Sequence, residues 1–321
     1  MLFEKQVIGT FRRQFLRRCD DNGTAFYFSA GDFPGLEAEP FCFPSVKGHT
    51  LKGYFYRYGS PIPGRLVVFD HGFGGGHRSY MREIEMLCRH GYLVFSYDHT
   101  GCMESGGESI VGFSQSLVDL NDCLTALKQH PHCQGLDISV MGHSWGGFST
   151  LNIAALHPEI SHIVVLSGFV SVQKLVNQFF GGILKGYRRA VLRLEEASNP
   201  DFLRYDAVTS LSHTDAKVLL IYSENDKMVS KAVHFDALKQ GLSHKDNVRF
   251  LLVQNKGHNP NYTGDAVSYL GEYSAAVAQK TKKKELESEA QKQAFLASFD
   301  WNRMTAQDET VWAEIFRTLD T

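Results

Sequence analysis

Ser144 lies in Gly142-His143-Ser144-Trp145-Gly146, with Gly147 behind it, a match to G-x-S-x-G. A serine on a sharp strand-to-helix turn takes a strained backbone conformation, and its neighbours at ±2 must be glycines for the turn to close. The helix that follows points its N-terminal amides and dipole at the hydroxyl, which favours negative charge there. Such a serine is a nucleophile for acyl transfer, provided a base takes its proton and a third group orients the base. Among fourteen histidines, His258 in Asn255-Lys256-Gly257-His258-Asn259 is the best placed, just past the last strand the sequence predicts. Asp226, in Ser223-Glu224-Asn225-Asp226-Lys227, is the expected acid. Glu224 competes with it, and Asp226 could instead cap the helix that follows.

The alkoxide of an acyl-transfer transition state needs two preorganised donors. His71-Gly72-Phe73-Gly74-Gly75-Gly76 supplies a glycine-rich turn for one, the backbone amide of Phe73, and the amide of Trp145 is the other. A phosphate loop is the competing reading of this turn. No Lys-Ser/Thr follows it, however, and His77 stands where a dinucleotide fingerprint would need its third glycine. His71 and His143 read as structural neighbours rather than participants. His130-Pro131-His132-Cys133 looks metal-like, but four adjacent residues cannot all converge on one tetrahedral ion. No metal or cofactor is expected.

These residues must be placed by a parallel sheet. Short apolar runs at 65–70, 92–98, 137–141, 162–167, 217–223 and 248–253 alternate with amphipathic stretches near 80–90, 113–129, 145–157 and 229–240. Buried strands alternating with helices mean an α/β fold whose sheet is covered on both faces. Chemistry in such sheets collects at the carboxyl ends of the strands, where all three candidate residues fall. A hairpin over 41–58, turning at Lys47-Gly48, precedes the alternation.

Residues 169–214 interrupt the rhythm. Val172, Leu175, Val176, Phe179 and Ile183 fall at helical spacing, widened by Phe180, Leu184 and Tyr187, which predicts a small helical cap over the functional edge. Phe179 and Phe180 are candidate substrate-binding residues; packing on the body is the alternative. Arg188-Arg189 could meet a substrate anion, or lie on a solvated face. Glu195 and Glu196 are the candidates for holding a free amine.

The chain resembles the α/β-hydrolase-fold serine hydrolases of the lipase, esterase and aminopeptidase branch, over about residues 42–170 and 215–258. Four motifs carry the likeness in order: HGFGGG at 71–76, DHTGCMES at 98–105, GHSWGG at 142–147, then Asp226 with His258. The motif at 98–105 is similar to the family's D-x-x-G-x-G-x-S but departs at Met103, where glycine is usual. The resemblance implies an α/β-hydrolase fold with a mostly parallel sheet, helices on both faces and a helical cap. It implies hydrolysis of a carboxylic ester of small to medium acyl length through an acyl-enzyme on Ser144. A serine aminopeptidase, an acyltransferase or a thioesterase would use the same residues, and a non-catalytic binding member would use none.

The 321 residues carry 33 Lys plus Arg against 35 Asp plus Glu, a net charge of −2, which lacks the footprint of a nucleic-acid binder. No apolar run reaches the roughly 18 residues a membrane span needs. The opening residues do not read as a secretory signal, and six dispersed cysteines read as reduced thiols, so a cytoplasmic setting is expected. The expected organisation is an N-terminal extension at 1–40, a hydrolase core at 41–168 and 215–321, and the cap at 169–214. In the core's C-terminal extension, 265–300 reads as one long helix and another follows near 307–319. The long charged helix reads as a solvated face with one docked stripe; a homodimer contact through it or the cap is the alternative.

Overall fold

The computed structural model describes residues 3–321. Eight strands form a single sheet: β1 (Leu36–Pro44), β2 (Thr50–Tyr58), β3 (Arg65–Asp70), β4 (Leu93–Tyr97), β5 (Asp137–His143), β6 (His162–Leu166), β7 (Lys217–Ser223) and β8 (Val248–Val253). Their spatial order is β1-β2-β4-β3-β5-β6-β7-β8, antiparallel at β1/β2 and β2/β4 and parallel throughout the rest. Strands β3 to β8 are the apolar runs of the sequence. Residues such as Val67, Val68, Val140, Val164 and Leu220 are wholly buried because helices cover both faces.

The chain leaves β3 toward β4 on one side and later returns to β5 on the other. This reversal opens a crevice at the carboxyl ends of β3 and β5, where open α/β sheets bind ligands. The glycine-rich turn follows β3 and Ser144 follows β5, so strand order alone brings them together.

Among the described residues the helices are α1 (Glu4–Phe11), α2 (Met81–Arg89), α3 (Gln115–Gln129), α4 (Ser144–Asn152), α5 (Val172–Phe179), α6 (Arg188–Ser198), α7 (Ala207–Ser212), α8 (Phe235–Leu242), α9 (Gly264–Lys282), α10 (Glu289–Leu296), α11 (Trp301–Met304) and α12 (Glu309–Leu319). None is long and apolar enough to cross a membrane. Helices α5, α6 and α7 fill the interval read as a cap.

Several expectations need correction. The hairpin's first strand begins at Leu36, so the last residues of the stretch read as an N-terminal extension belong to the sheet. The predicted helix over 265–300 is two helices. Lys284 turns left-handed (φ 60°), Glu285 N–H reaches back to the Lys280 carbonyl and Lys284 N–H to that of Thr281, which closes α9. Ser288 and Gln291 then cap α10 reciprocally. Helix α5 stops at Phe179 because Gly181 and Gly182 follow, and Ile183 points to solvent at 96% exposure instead of continuing the apolar face. The helix expected from 229 starts only at Phe235, after a run of turns.

Candidate active site

Ser144 has φ 56°, the left-handed strain expected of a nucleophile on a sharp turn. The flanking glycines are sterically required. A Cβ on Gly142 would lie 2.3 Å from Thr150 Oγ1, and one on Gly146 would lie 2.1 Å from the Asp70 carbonyl oxygen. Ser144 opens α4, so the Trp145 amide is among the first-turn donors left without an intrahelical acceptor.

The hydroxyl of Ser144 lies 2.8 Å from His258 Nε2, and His258 Nδ1 lies 2.8 Å from Asp226 Oδ2. With Nδ1–H donated to the carboxylate, Nε2 is free to accept the serine proton. The alternatives for the acid resolve within one side chain: Asp226 Oδ1 accepts the amides of Met228 and Val229, and Oδ2 holds the histidine. Burial works to raise the Asp226 carboxyl, but His258 and these two amides outweigh it and hold it below the usual carboxylate range. Glu224 points to solvent. Asn225 Oδ1 accepts the Gly257 amide and Ser223 Oγ accepts that of Lys256, which ties the Asp226 loop to the His258 loop.

His71 and His143 are buried and structural. His71 Nε2 accepts the His99 amide at 2.9 Å, so its proton sits on Nδ1 and is donated to the Gly72 carbonyl at 2.8 Å. This fixes the turn that carries Phe73. His143 Nε2–H donates to the His258 carbonyl at 2.8 Å, and its Nδ1 accepts from Tyr80 Oη, which itself accepts the Gly72 amide. A continuous chain thus joins the glycine-rich turn to the His258 loop. Burial pushes both imidazoles down to about 3, so they stay neutral. Tyr80 is not legible in the sequence as part of the site, since nothing at its position distinguishes it from a helix-end aromatic.

Beneath these groups a buried charge cluster supports the strand ends. His99 lies 3.0 Å from Asp70 and 3.3 Å from Asp119. Burial opposes its charge, yet the two carboxylates raise it to about 10.

Ser144 faces an apolar cavity of about 60 Å³ lined by Phe73, Phe113, Trp145, Phe169, Leu175, Phe179, Met228, Val229 and Phe15. Phe179 is therefore on the wall. Phe180 stands behind it against Phe11, with ring centroids 6.0 Å apart, and does not line the cavity. Sequence reasoning misses Phe15, although Phe11 and Phe15 at i, i+4 on an Arg-rich background are a legible apolar face. Its ring packs on Phe73, Phe113 and Phe179 at 6.1, 5.8 and 6.3 Å. The segment carrying it is held by strand-like bonds: Cys19 N–H to the Gly101 carbonyl and Met103 N–H to that of Cys19. Arg18 also donates to the carbonyls of Met103, Ser105 and Gly107. These contacts explain how Met103 holds φ 41° where a glycine would be at ease.

Other candidates have structural partners. Glu195 is buried and accepts the Phe113 and Ser114 amides at 2.8 and 3.3 Å, which caps the entry to α3, so it is not available to a free amine; Glu196 is exposed. Arg188 donates to the carbonyls of Asn177 and Phe180 and braces the cap, while Arg189 is exposed. His130 packs edge-on against Phe41, with centroids 4.6 Å apart, and no metal-ligating cluster occurs among the described residues.

The sequence profile described as serine aminopeptidase, S33 matches residues 61–250, more than half of the chain. The chain belongs to the serine aminopeptidase S33 family. The match spans Ser144 and Asp226 and ends just before His258. Monoglyceride lipase of Rattus norvegicus is 33% identical over 123 residues, 36% of this chain and 39% of the lipase. The uncharacterised protein YqkD of Bacillus subtilis is 28% identical over 144 residues, 44% of this chain and 45% of YqkD. The chain thus spans less than half the length of these curated relatives. An esterase of Pyrococcus furiosus superposes with a TM-score of 0.59 at 19% identity, covering 81% of this chain and 95% of the esterase. At that identity the likeness speaks for the fold, an α/β-hydrolase fold.

Proposed function

We propose that this protein is a serine esterase that cleaves carboxylic esters of short acyl groups. The observation that carries this reading is the continuous hydrogen-bond path Asp226–His258–Ser144, opening on an apolar cavity. Ser144 Oγ attacks the ester carbonyl as His258 takes its proton, and Asp226 orients the imidazole and stabilises its cation. The amides of Phe73 and Trp145 hold the oxyanion. His258 then returns its proton to the departing alcohol, and a water activated by His258 releases the acyl group. An apolar cavity of about 150 Å³ accepts benzene, so one of about 60 Å³ suits an acyl group of about two to four carbons. Monoglyceride lipase and esterase relatives support an ester as substrate.

An aminopeptidase reading would need an acidic group for the substrate's amine, and Glu195 is committed to capping α3. Six unpaired cysteines support a reducing, cytoplasmic setting.

Ser144→Ala is expected to abolish both hydrolysis of p-nitrophenyl acetate and labelling by a fluorophosphonate. Full labelling of the variant would refute the assignment of the nucleophile. Faster turnover of aminoacyl p-nitroanilides than of p-nitrophenyl acetate by the wild type would refute the ester reading.

A further inference from the structure

We propose that the amino-terminal segment and the carboxy-terminal helices together build a leaving-group site, one that takes a flat aromatic alcohol portion of the ester. This inference rests on the esterase reading above. A second cavity of about 270 Å³ borders the turn at Gly72 to Gly75 and is lined by Tyr27 from the amino-terminal segment and by Tyr273 and Trp301 from the carboxy-terminal helices. It shares only Phe73 with the acyl cavity. The size lies just below the roughly 300–1,000 Å³ usual for small-molecule sites, as suits one portion of a substrate.

The two cavities meet at Phe73, beside the turn proposed to hold the oxyanion, and the inference assigns the alcohol to the second of them. The departing oxygen takes its proton from His258 Nε2, so the alcohol lies on the His258 side of Ser144 while the acyl chain points past Trp145. Tyr80, whose hydroxyl reaches His143 and through it the His258 carbonyl, lines this second cavity, as does Tyr262 of the same loop. In acylation the Ser144 Oγ–carbon bond forms, the carbon–alkoxy bond breaks, and the alcohol departs with the proton His258 had taken from the serine. Atoms and charge balance without a further reactant.

The lining specifies the ligand's chemistry. Tyr273 Oη donates to the Thr24 carbonyl at 2.7 Å, Trp301 Nε1 to that of Leu296 at 2.9 Å, and Tyr80 Oη to His143 at 2.8 Å. With these three polar ends engaged by the protein, Tyr80, Tyr273 and Trp301 offer ring faces and edges, which suits a planar aromatic group. The Tyr273 bond to Thr24 and the Phe26–Trp301 contact at 5.8 Å also dock the two terminal segments on each other. Neither segment alone closes the cavity.

The test compares ethyl acetate with 2-naphthylmethyl acetate, two esters of one acid with alkyl alcohols. Wild type should prefer the naphthylmethyl ester through a lower KM. Trp301→Ala should lower the ratio of kcat/KM for the naphthylmethyl ester to that for the ethyl ester at least fivefold. Trp301→Phe, which keeps a ring but loses the bond to Leu296, should preserve most of the ratio. In wild type, 2-naphthylmethanol should inhibit p-nitrophenyl acetate hydrolysis, with an inhibition constant that rises in Trp301→Ala. An unchanged ratio in Trp301→Ala, with Ser144 still labelled by fluorophosphonate, overturns the leaving-group site and leaves the esterase reading standing. Failure of wild type to label removes that reading and this inference with it.

Discussion

Replacing Phe15 by alanine removes the single ring that the amino-terminal segment contributes to the wall around Ser144. Phe73, Phe113, Phe179 and the rest of the lining stay in place, so the cavity should lengthen toward the amino-terminal segment without disturbing the nucleophile. An octanoyl group carries four more methylenes than a butyryl group. Each buried methylene is worth about 0.8 kcal/mol, which sets a ceiling of about 3.2 kcal/mol on the gain for octanoate over butyrate. Phe15 is half-buried rather than sealed, so the opened space remains partly wet. Halving the figure leaves about 1.6 kcal/mol, or about 15-fold in the ratio of the two kcat/KM values. The assay is a p-nitrophenyl ester series from acetate to decanoate at fixed pH. Wild type should peak at two to four carbons and Phe15→Ala at six to eight, while Phe15→Trp should favour acetate still more. An unchanged chain-length profile in an active Phe15→Ala protein would refute the assignment of this cavity to the acyl group.

The other expectations concern the residues that support the site. His143→Ala removes the link from Tyr80 to the His258 carbonyl but leaves Ser144, His258 and Asp226 in the chain. It should lower kcat about 10- to 100-fold through misplacement of the loop, with KM changed less; equal loss in both would contradict a positioning role. His99→Ala strands two buried carboxylates and should cost about 3–5 kcal/mol in a urea titration at pH 7. Because the folded-state pKa of His99 is raised, its stabilisation is complete below about 6.5 and is lost as pH rises through about 10. The gap between wild type and variant should therefore narrow in alkaline buffer, and a gap that widened there would count against the ion cluster.

What the sequence made legible was whatever the sheet imposes. Ser144 sits where an apolar strand gives way to glycine on both sides, and steric exclusion at Gly142 and Gly146 leaves few other meanings for that pattern. Asp226 and His258 follow the ends of β7 and β8 by a few residues, so the parallel topology predicts their convergence. What escaped was set by a single backbone angle or by partners distant in the chain. The break at Lys284 depends on one residue adopting a left-handed turn, which composition does not announce. Glu195 reads as a binding group because sequence cannot reveal that the amides of Phe113 and Ser114 wait for it. Phe15 lies in a segment without strand or motif, and its role comes from docking on α5 and on the loop before α3.

The bonds from Cys19 to Gly101 and Met103, with the Phe15 contacts, also bear on how the molecule is made. Phe15 is synthesised before its partner Phe179, which follows about 160 residues later, roughly 10–30 s at ordinary elongation rates. The segment carrying Phe15 therefore cannot complete its packing until α5 has been made. A segment that packs on the sheet without adding a strand to it detaches more cheaply than a strand does, so brief proteolysis should cut between residues 3 and 20 before it touches the sheet. Until that packing is complete Ser144 stands without its roof, and on the proposed esterase reading the length of acyl chain it admits is set by that packing.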